Sequence, residues 1–521
     1  MPAAPELPEP PEPPEAAPGR GPIVLIALAI AAATSLSWAR PNATAPDLGS
    51  SRWLPSALLP WAPGPAVVTA VQWAGYGLGA IGLAWAWRRA GGIRLPRWLP
   101  WALAVIALLG VPIGSADHLN YAAYGRIVLQ GGNPWIESPI HWHDGTDPIT
   151  SAVEPPWTTT PSVYGPFVTL AHAAAAALGG DDLRAVVRWW QVVVVLSWLV
   201  TRWSLRRLLP AARDRVDLLW TVNPMLWPVA VLGAHVDTVA TALVVLAVLV
   251  ASRKRARSPG TAALLGAGAL VGAAASTKFT YGAAGLALAV VLGLRQRGRR
   301  RAPAPVWSVL AALLVGFLAV VVPLHLWSGA HTYDQLLRSR QAVSLATPWR
   351  LLLEALRPVL GNGTTRSLIT ASAAVLAVLL LTAYLRLSRP ATDDPGVRAL
   401  WLTGGLTLAY TLSAPYTLPW YDIVVWAAMP AVTGALVLWL TGIRLLVLAS
   451  AYVPGRVSGM TPSVEEVTLG FRRGAAAWMA LALWGAWLTA GVLWPRLSAR
   501  LSARLSGGGR AGSGRWSEPP R

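Results

Sequence analysis

The chain has 521 residues, 54% of them hydrophobic and only 13% charged, with a mean hydropathy of +0.48. That charged share is half the usual one, and the apolar runs are continuous rather than alternating, which excludes an ordinary soluble domain and barrel strands and predicts helical membrane spans. The net charge of +20 does not point to nucleic acid, because arginines cluster between apolar runs at 88–89, 253–257 and 295–301, as cytoplasmic loops do, and the absence of cysteine excludes disulfides and thiolate metal sites.

In chain order, residues 1–21 are rich in Pro, Glu and Ala and read as a disordered cytoplasmic tail. The first apolar run, about 23–39, lacks a basic leading region and reads as an anchor rather than a cleaved signal. Spans are predicted at about 23–39, 64–87, 97–115, 186–203, 216–233, 236–251, 260–276, 279–294, 305–327, 368–387, 397–413, 420–437, 438–453 and 475–495. With the N-terminus inside, the clusters at 88–97, 202–215, 252–257, 295–301 and 384–398 and the basic tail 496–521 all fall inside. This requires 162–179 to be a re-entrant or interfacial helix and 420–453 to be two short spans that turn near 431–434. The expected architecture is an all-α integral membrane bundle of about 13–14 spans over 22–495, with juxtamembrane helices. Two long loops, 116–185 and 328–367, then lie outside, with shorter outer turns near 234–236, 277–278 and 414–420.

The unusual residues gather on that outer side. SADHLNYAAYGRIVLQGGNPW (115–135) follows the run Leu99–Ile113. Asp117 and His118 read there as the polar end of that helix, where a carboxylate opposes the helix dipole and is a poor structural choice. Tyr121, Tyr124 and Arg126 lie on a helix along the surface that either lines a site or is interfacial. PPWTTTPSVYGPF (155–167) brings Tyr164 and several hydroxyls, groups that suit a sugar ring. His235 and Asp237 flank a tight turn. Of the 43 basic residues only Lys254 and Lys278 are lysine, and Lys278 stands at an outer turn, as a phosphate partner or a snorkelling interfacial cation. Arg338, Arg340 and Arg350 are further cations of the second loop, suited to grip phosphate or to remain solvated. Tyr416 and Trp420 stand in SAPYTLPWY.

Together with TTPSVYGPF, NPMLWPVAVLGAHVDT and STKFTYG, these stretches make the region from about 100 to 440 resemble the bacterial polyprenol-phosphomannose-dependent α-1,6-mannosyltransferases, membrane glycosyltransferases of the GT-C class. The chain departs from that family's Gly-His-Asn-Asp turn, reading Gly233-Ala234-His235-Val236-Asp237. The resemblance implies a polyprenyl-phosphate mannose donor, a mannan-type glycolipid or polysaccharide acceptor and an inverting reaction on the outer face of a bacterial plasma membrane. Inversion in one step needs a base for the acceptor hydroxyl, which would be Asp117, and cations for the leaving phosphate. His118, Tyr121, Tyr124, Arg126, Tyr164, His235, Asp237, Lys278, Arg338, Arg350, Tyr416 and Trp420 are the substrate-binding candidates. No HExxH or paired-carboxylate spacing occurs, so no metal ligand is assigned; the nearby Asp and His leave a divalent cation open. Beyond membrane lipids and these substrates no partner is expected. The alternatives are a GT-C enzyme using an arabinosyl, glucosyl or galactosyl lipid, and a transporter or flippase, whose buried mid-membrane charges and inverted repeats are not evident.

Overall fold

The computed structural model describes residues 19–51, 55–252, 260–297 and 306–493. The tail readings for 1–18 and 496–521, and the basic clusters at 253–257 and 298–301, lie outside the described residues.

The apolar runs fold as helices. The first two are α1 (Arg20–Trp38) and α2 (Pro65–Ala90), which pack on one another. Helix α2 starts on a proline and stops at Gly91, whose φ of 61° supplies the left-handed cap. Then come α3 (Leu99–Leu109), α4 (Asp117–Leu129), α5 (Pro166–Gly179) and α6 (Leu183–Leu208). The short α7 (Arg213–Val216) leads into α8 (Val236–Ser252), α9 (Thr261–Ala275), α10 (Ala283–Arg297) and α11 (Val306–Ser328). The second loop carries α12 (Asp334–Ser339) and α13 (Pro348–Leu360) before α14 (Asn362–Leu387) and α15 (Pro395–Ser413). The chain closes with α16 (Ile423–Ala428), α17 (Ala435–Ala451), α18 (Pro462–Arg473) and α19 (Ala475–Leu488). Among the described residues the strands amount to Arg389–Pro390 paired antiparallel with Val432–Thr433.

The protein is therefore an all-α membrane protein, but with fewer full-length spans than its hydropathy suggests. Among the described residues six helices are long and apolar enough to cross a bilayer, and six shorter apolar helices accompany them. The expected span at 97–115 is the 11-residue α3, stopped at Gly110 before Pro112. The expected span at 216–233 is two π-helical turns, Asp217–Thr221 and Trp227–Leu232, separated where Pro224 has no N–H to continue the ladder. The expected span at 420–437 is the short α16 flanked by 3₁₀ turns at Pro419–Asp422 and Met429–Ala431, each containing a proline. The turn expected near 431–434 is present, since α17 starts just after Gly434.

Helix α4 also differs from the expected surface helix. His118 to Gly125 and Ile127 are all buried, because α4 packs across α5 and α6. Gly125 permits that approach: a Cβ there would stand 2.3 Å from the carbonyl oxygen of His172 in α5. Two buried carboxylates elsewhere are paired with arginine. Asp422 is held by both arms of Arg444, with Nε–Oδ2 at 2.8 Å and Nη2–Oδ1 at 3.1 Å, and Nη2 also donates to the Thr411 carbonyl. Asp217 accepts from Arg202 at 2.9 Å and from Arg206.

Candidate active site

Asp117 opens α4 rather than closing α3. The chain runs irregularly from Gly110 to Ala116, and Asp117 is the acidic residue of the first turn of a new helix. The helix dipole thus favours its negative charge, which reverses the expectation from sequence. Its backbone N–H donates to Ser115 Oγ at 3.3 Å. The carboxylate itself is loosely held: Oδ2 lies 3.5 Å from both Tyr121 Oη and His235 Nδ1, and 14% of the side chain is exposed. His235 stacks on Trp420 with ring centres 3.9 Å apart and planes 12° from parallel, which fixes the imidazole beside the acid.

The second acid is tightly bound. Asp237, in the first turn of α8, accepts at Oδ1 from Lys278 Nζ and from Tyr281 Oη, both at 2.9 Å. Its Oδ2 is buried without a hydrogen-bond partner. Lys278 stands in the turn after α9, with Nζ 3.3 Å from the centre of the Tyr421 ring. A small cavity beside this pair is lined by Thr280, Tyr281, Thr407, Tyr410, Thr411 and Tyr421.

Aromatic rings brace both acids. Tyr121 stacks on His172 at 4.9 Å and meets Tyr164 and Trp190 edge-on at 5.2 and 5.4 Å. Trp190 Nε1 donates to the Ala234 carbonyl at 2.7 Å. Ala234 has a φ of 52°, a conformation that L residues rarely adopt, so this bond helps hold the turn that aims His235 and Asp237 inward.

Of the residues singled out from sequence, Asp117, Tyr121, Tyr164, His235, Asp237, Lys278 and Trp420 come together here. Tyr416 is half-buried and packs against the main core. His118 points away, buried with neither ring nitrogen bonded; burial, with Arg456 and His235 nearby, pushes its pKa down to about 3, so the ring is neutral. Tyr124 donates to the Thr160 carbonyl at 2.9 Å and tilts against Tyr164. Arg126 is engaged by Asp147 at 2.9 Å and Asp181 at 2.5 Å. Burial opposes ionisation of Asp147, but the amides of Thr150 and Ile149 and the Arg126 guanidinium outweigh it and hold its pKa below the usual range. Arg338 and Arg340 are exposed, and Arg350 pairs with Glu354 one turn along α13.

Sequence reasoning missed Tyr281, Tyr421, His172 and Trp190. Tyr281 lies one turn past Lys278, and Tyr421 follows Trp420, so both stood inside stretches already singled out. His172 and Trp190 sit in apolar helices and carry no local signal. Among the described residues no group of three or more His, Cys, Asp or Glu side chains could hold a metal ion. The arrangement offers a loosely held carboxylate able to accept a proton. It also offers an ammonium with one N–H spent on Asp237 and others able to meet an anion.

Comparison with known proteins gives three findings. A family model described as alpha-(1->6)-mannopyranosyltransferase, N-terminal domain, matches residues 23–295. Two curated relatives come from Mycobacterium tuberculosis. Alpha-(1->6)-mannopyranosyltransferase A is 25% identical over 217 residues, 41% of this chain and 40% of the relative. A second alpha-(1->6)-mannopyranosyltransferase is 27% identical over 149 residues, 28% of this chain and 25% of the relative. The chain thus spans less than half the length of these relatives. Among solved structures, ArnT from Cupriavidus metallidurans bound to undecaprenyl phosphate matches 75% of this chain and 76% of its own, at 16% identity and a TM-score of 0.39.

Proposed function

The chain belongs to the alpha-(1->6)-mannopyranosyltransferase family, and on that premise we propose that it moves mannose from polyprenyl-phosphate mannose to a mannan-type glycolipid or polysaccharide acceptor, with inversion, forming α-1,6 linkages. The observation that carries this reading is the meeting of a loosely held carboxylate, Asp117, with a lysine ammonium, Lys278, through the turn bearing His235 and Asp237. Asp117 takes the proton of the acceptor hydroxyl as it attacks the anomeric carbon. The C–O bond to phosphate breaks as the glycosidic bond forms, and the lipid phosphate leaves as the anion.

Lys278 faces that phosphate. Asp237 and Tyr281 orient the ammonium, and the Tyr421 ring closes one side of it. Tyr164, partly exposed, offers a ring against which a sugar packs; Tyr121 and Trp420 brace the site from behind, and His235 fixes the approach to Asp117. Arg350, half-paired with Glu354 and with a buried Nε lacking a partner, is a second cation for the donor. Arg338 is exposed for acceptor contacts, whereas Arg126 is tied into structural ion pairs. The arginine distribution supports an outer-face site in a bacterial plasma membrane: Arg88, Arg89, Arg206 and Arg207 occupy last turns of α2 and α6, at the ends away from Asp117.

The test is transfer of label from polyprenyl-phosphate mannose to a short α-mannan by purified protein in membranes. The wild type is expected to transfer, and Asp117→Asn is expected to lose about 10²–10⁴-fold in rate while retaining its fold. Transfer undiminished in that variant would overturn the base assignment. Transfer only from another polyprenyl-phosphate sugar would overturn the donor.

A further inference from the structure

The first turns of α6 carry two arginines, Arg184 and Arg188, each with two buried nitrogens that no group among the described residues satisfies. Arg184 is 3% exposed, and its Nε and Nη1 are buried without hydrogen-bond partners. Arg188, one turn on, is half-buried, with Nε and Nη2 likewise unpartnered. The acidic groups near Arg184 are Asp182 and Asp47, and neither reaches ion-pair distance. Asp182 spends a carboxylate oxygen capping the Ala185 amide, and Asp47 accepts from the Gly49 amide. The cationic N-terminal end of α6 adds to the same field.

This contrasts with the treatment of arginine elsewhere in the chain. Arg126, Arg202, Arg206, Arg444 and Arg456 all meet carboxylates. Two like charges one turn apart, with four buried N–H-bearing nitrogens unfilled, are unfavourable unless an anion completes them. The pair also lies apart from the site around Asp117. Trp190 faces Tyr121, whereas Arg184 and Arg188 stand on the other side of α6, the side from which Gln191 donates to the Gly110 carbonyl at the end of α3.

We propose that Arg184 and Arg188, in the first turns of α6, form a binding site for the phosphate of an anionic lipid headgroup. The depth favours a lipid over a soluble anion. Arg184 and Arg206 stand at opposite ends of the 26-residue α6, about 33 Å apart at 1.5 Å per residue, close to the roughly 30 Å of a hydrocarbon core. Arg184 therefore lies at headgroup level. Guanidinium groups suit phosphate because their N–H groups bond its oxygens in pairs.

The experiment uses the purified full chain and counts lipids retained under native mass spectrometry, with phosphatidylglycerol and phosphatidylcholine as probes. The wild type is expected to keep one more phosphatidylglycerol than the R184Q/R188Q variant, and the two are expected to keep equal amounts of phosphatidylcholine. The single variant R188Q, whose side chain is half-exposed, is expected to weaken retention at least tenfold and serves if the double variant does not fold. Equal phosphatidylglycerol retention by the wild type and R188Q overturns the site. Inorganic phosphate is the soluble arm: if millimolar phosphate removes the additional lipid completely, the lipid assignment is overturned.

Discussion

The ion pair between Lys278 and Asp237 allows a quantitative check of the site. At 2.9 Å and an effective dielectric of about 20, their attraction is about 6 kcal/mol. Asp237 is almost fully buried and Lys278 is 19% exposed, so part of that attraction offsets desolvation. Removing one partner from such a pair costs about 3–5 kcal/mol, because the other charge is left in a low-dielectric site. Asp237→Asn is therefore expected to destabilise the protein by about that amount, although Asn retains an acceptor for Tyr281. Lys278→Met leaves a buried carboxylate and is expected to cost a similar amount, about 3–5 kcal/mol. The double variant removes both charges, so it should be well short of the sum, with a coupling of about 2 kcal/mol or more. The assay is equilibrium denaturation in mixed micelles for the four proteins of the cycle. A coupling below about 0.5 kcal/mol would refute the view that Asp237 exists to hold Lys278. Both single variants should also lose mannosyl transfer, and the double variant should regain stability without regaining activity.

Three further predictions concern the scaffold. Gly125→Ala drives a Cβ to 2.3 Å from the His172 carbonyl oxygen; separating α4 from α5 should cost at least about 1–3 kcal/mol and reduce transfer, read as a lower Tm and kcat, because His172 braces Tyr121. Arg444→Ala leaves Asp422 buried and unpaired, with an expected loss of about 3–5 kcal/mol, seen in denaturation; since Trp420 and Tyr421 immediately precede Asp422, activity should fall with it. Asp147 has its folded pKa held below the unfolded value, so its stabilisation is present above the unfolded carboxylate range and disappears as pH falls through the folded pKa. Thermal scans from pH 7 downward should show Tm of the wild type falling more steeply in acid than that of Asp147→Asn.

Much of the fold was legible because bilayer physics writes itself into composition: continuous apolar runs and arginine clusters reveal helices and their ends. Span length was less legible, because Pro224, Pro419 and Pro430 break runs that hydropathy averages across. Helix α4 was misread for a related reason. YAAYGRIVL has the apolar content of an interfacial helix, and only the close approach at Gly125 shows that its small residues face α5 rather than lipid. Arg126 illustrates the limit for charges. Its partners Asp147 and Asp181 are 21 and 55 residues away, so nothing local distinguished a structural arginine from a ligand-binding one. The two acids that the fold brings together, Asp117 and Asp237, stood out in the sequence since carboxylates are rare in apolar surroundings. Their bracing aromatics did not, because a tryptophan within a span looks like any other apolar residue until Trp190 is seen bonding the Ala234 carbonyl.

The contrast between the two acids bears on which one acts. A base must be reachable and not already committed to a cation. Asp237 fails the last condition, since Oδ1 is shared by Lys278 and Tyr281 and moving a proton onto it would dissolve the pair that fixes the ammonium. Asp117 meets both: it is partly exposed at the start of a helix, and its nearest side-chain polar contacts stand at 3.5 Å. Tyr121 Oη donates over a long contact and His235 Nδ1 stands at the same distance without a hydrogen bond, which leaves lone pairs free for an incoming hydroxyl, yet each ring is held by its own stacking partner, His172 and Trp420. On the proposed reading Asp117 accepts the proton while Asp237 holds the Lys278 ammonium, the two acids being linked through His235 in the turn before α8. A Glu in place of Asp117 would lengthen the side chain by one methylene and alter the alignment while keeping the chemistry. Asp117→Glu should therefore retain more transfer than Asp117→Asn, with the deficit in kcat rather than KM. Equal loss in the two variants would argue that Asp117 acts through its packing and not as a base.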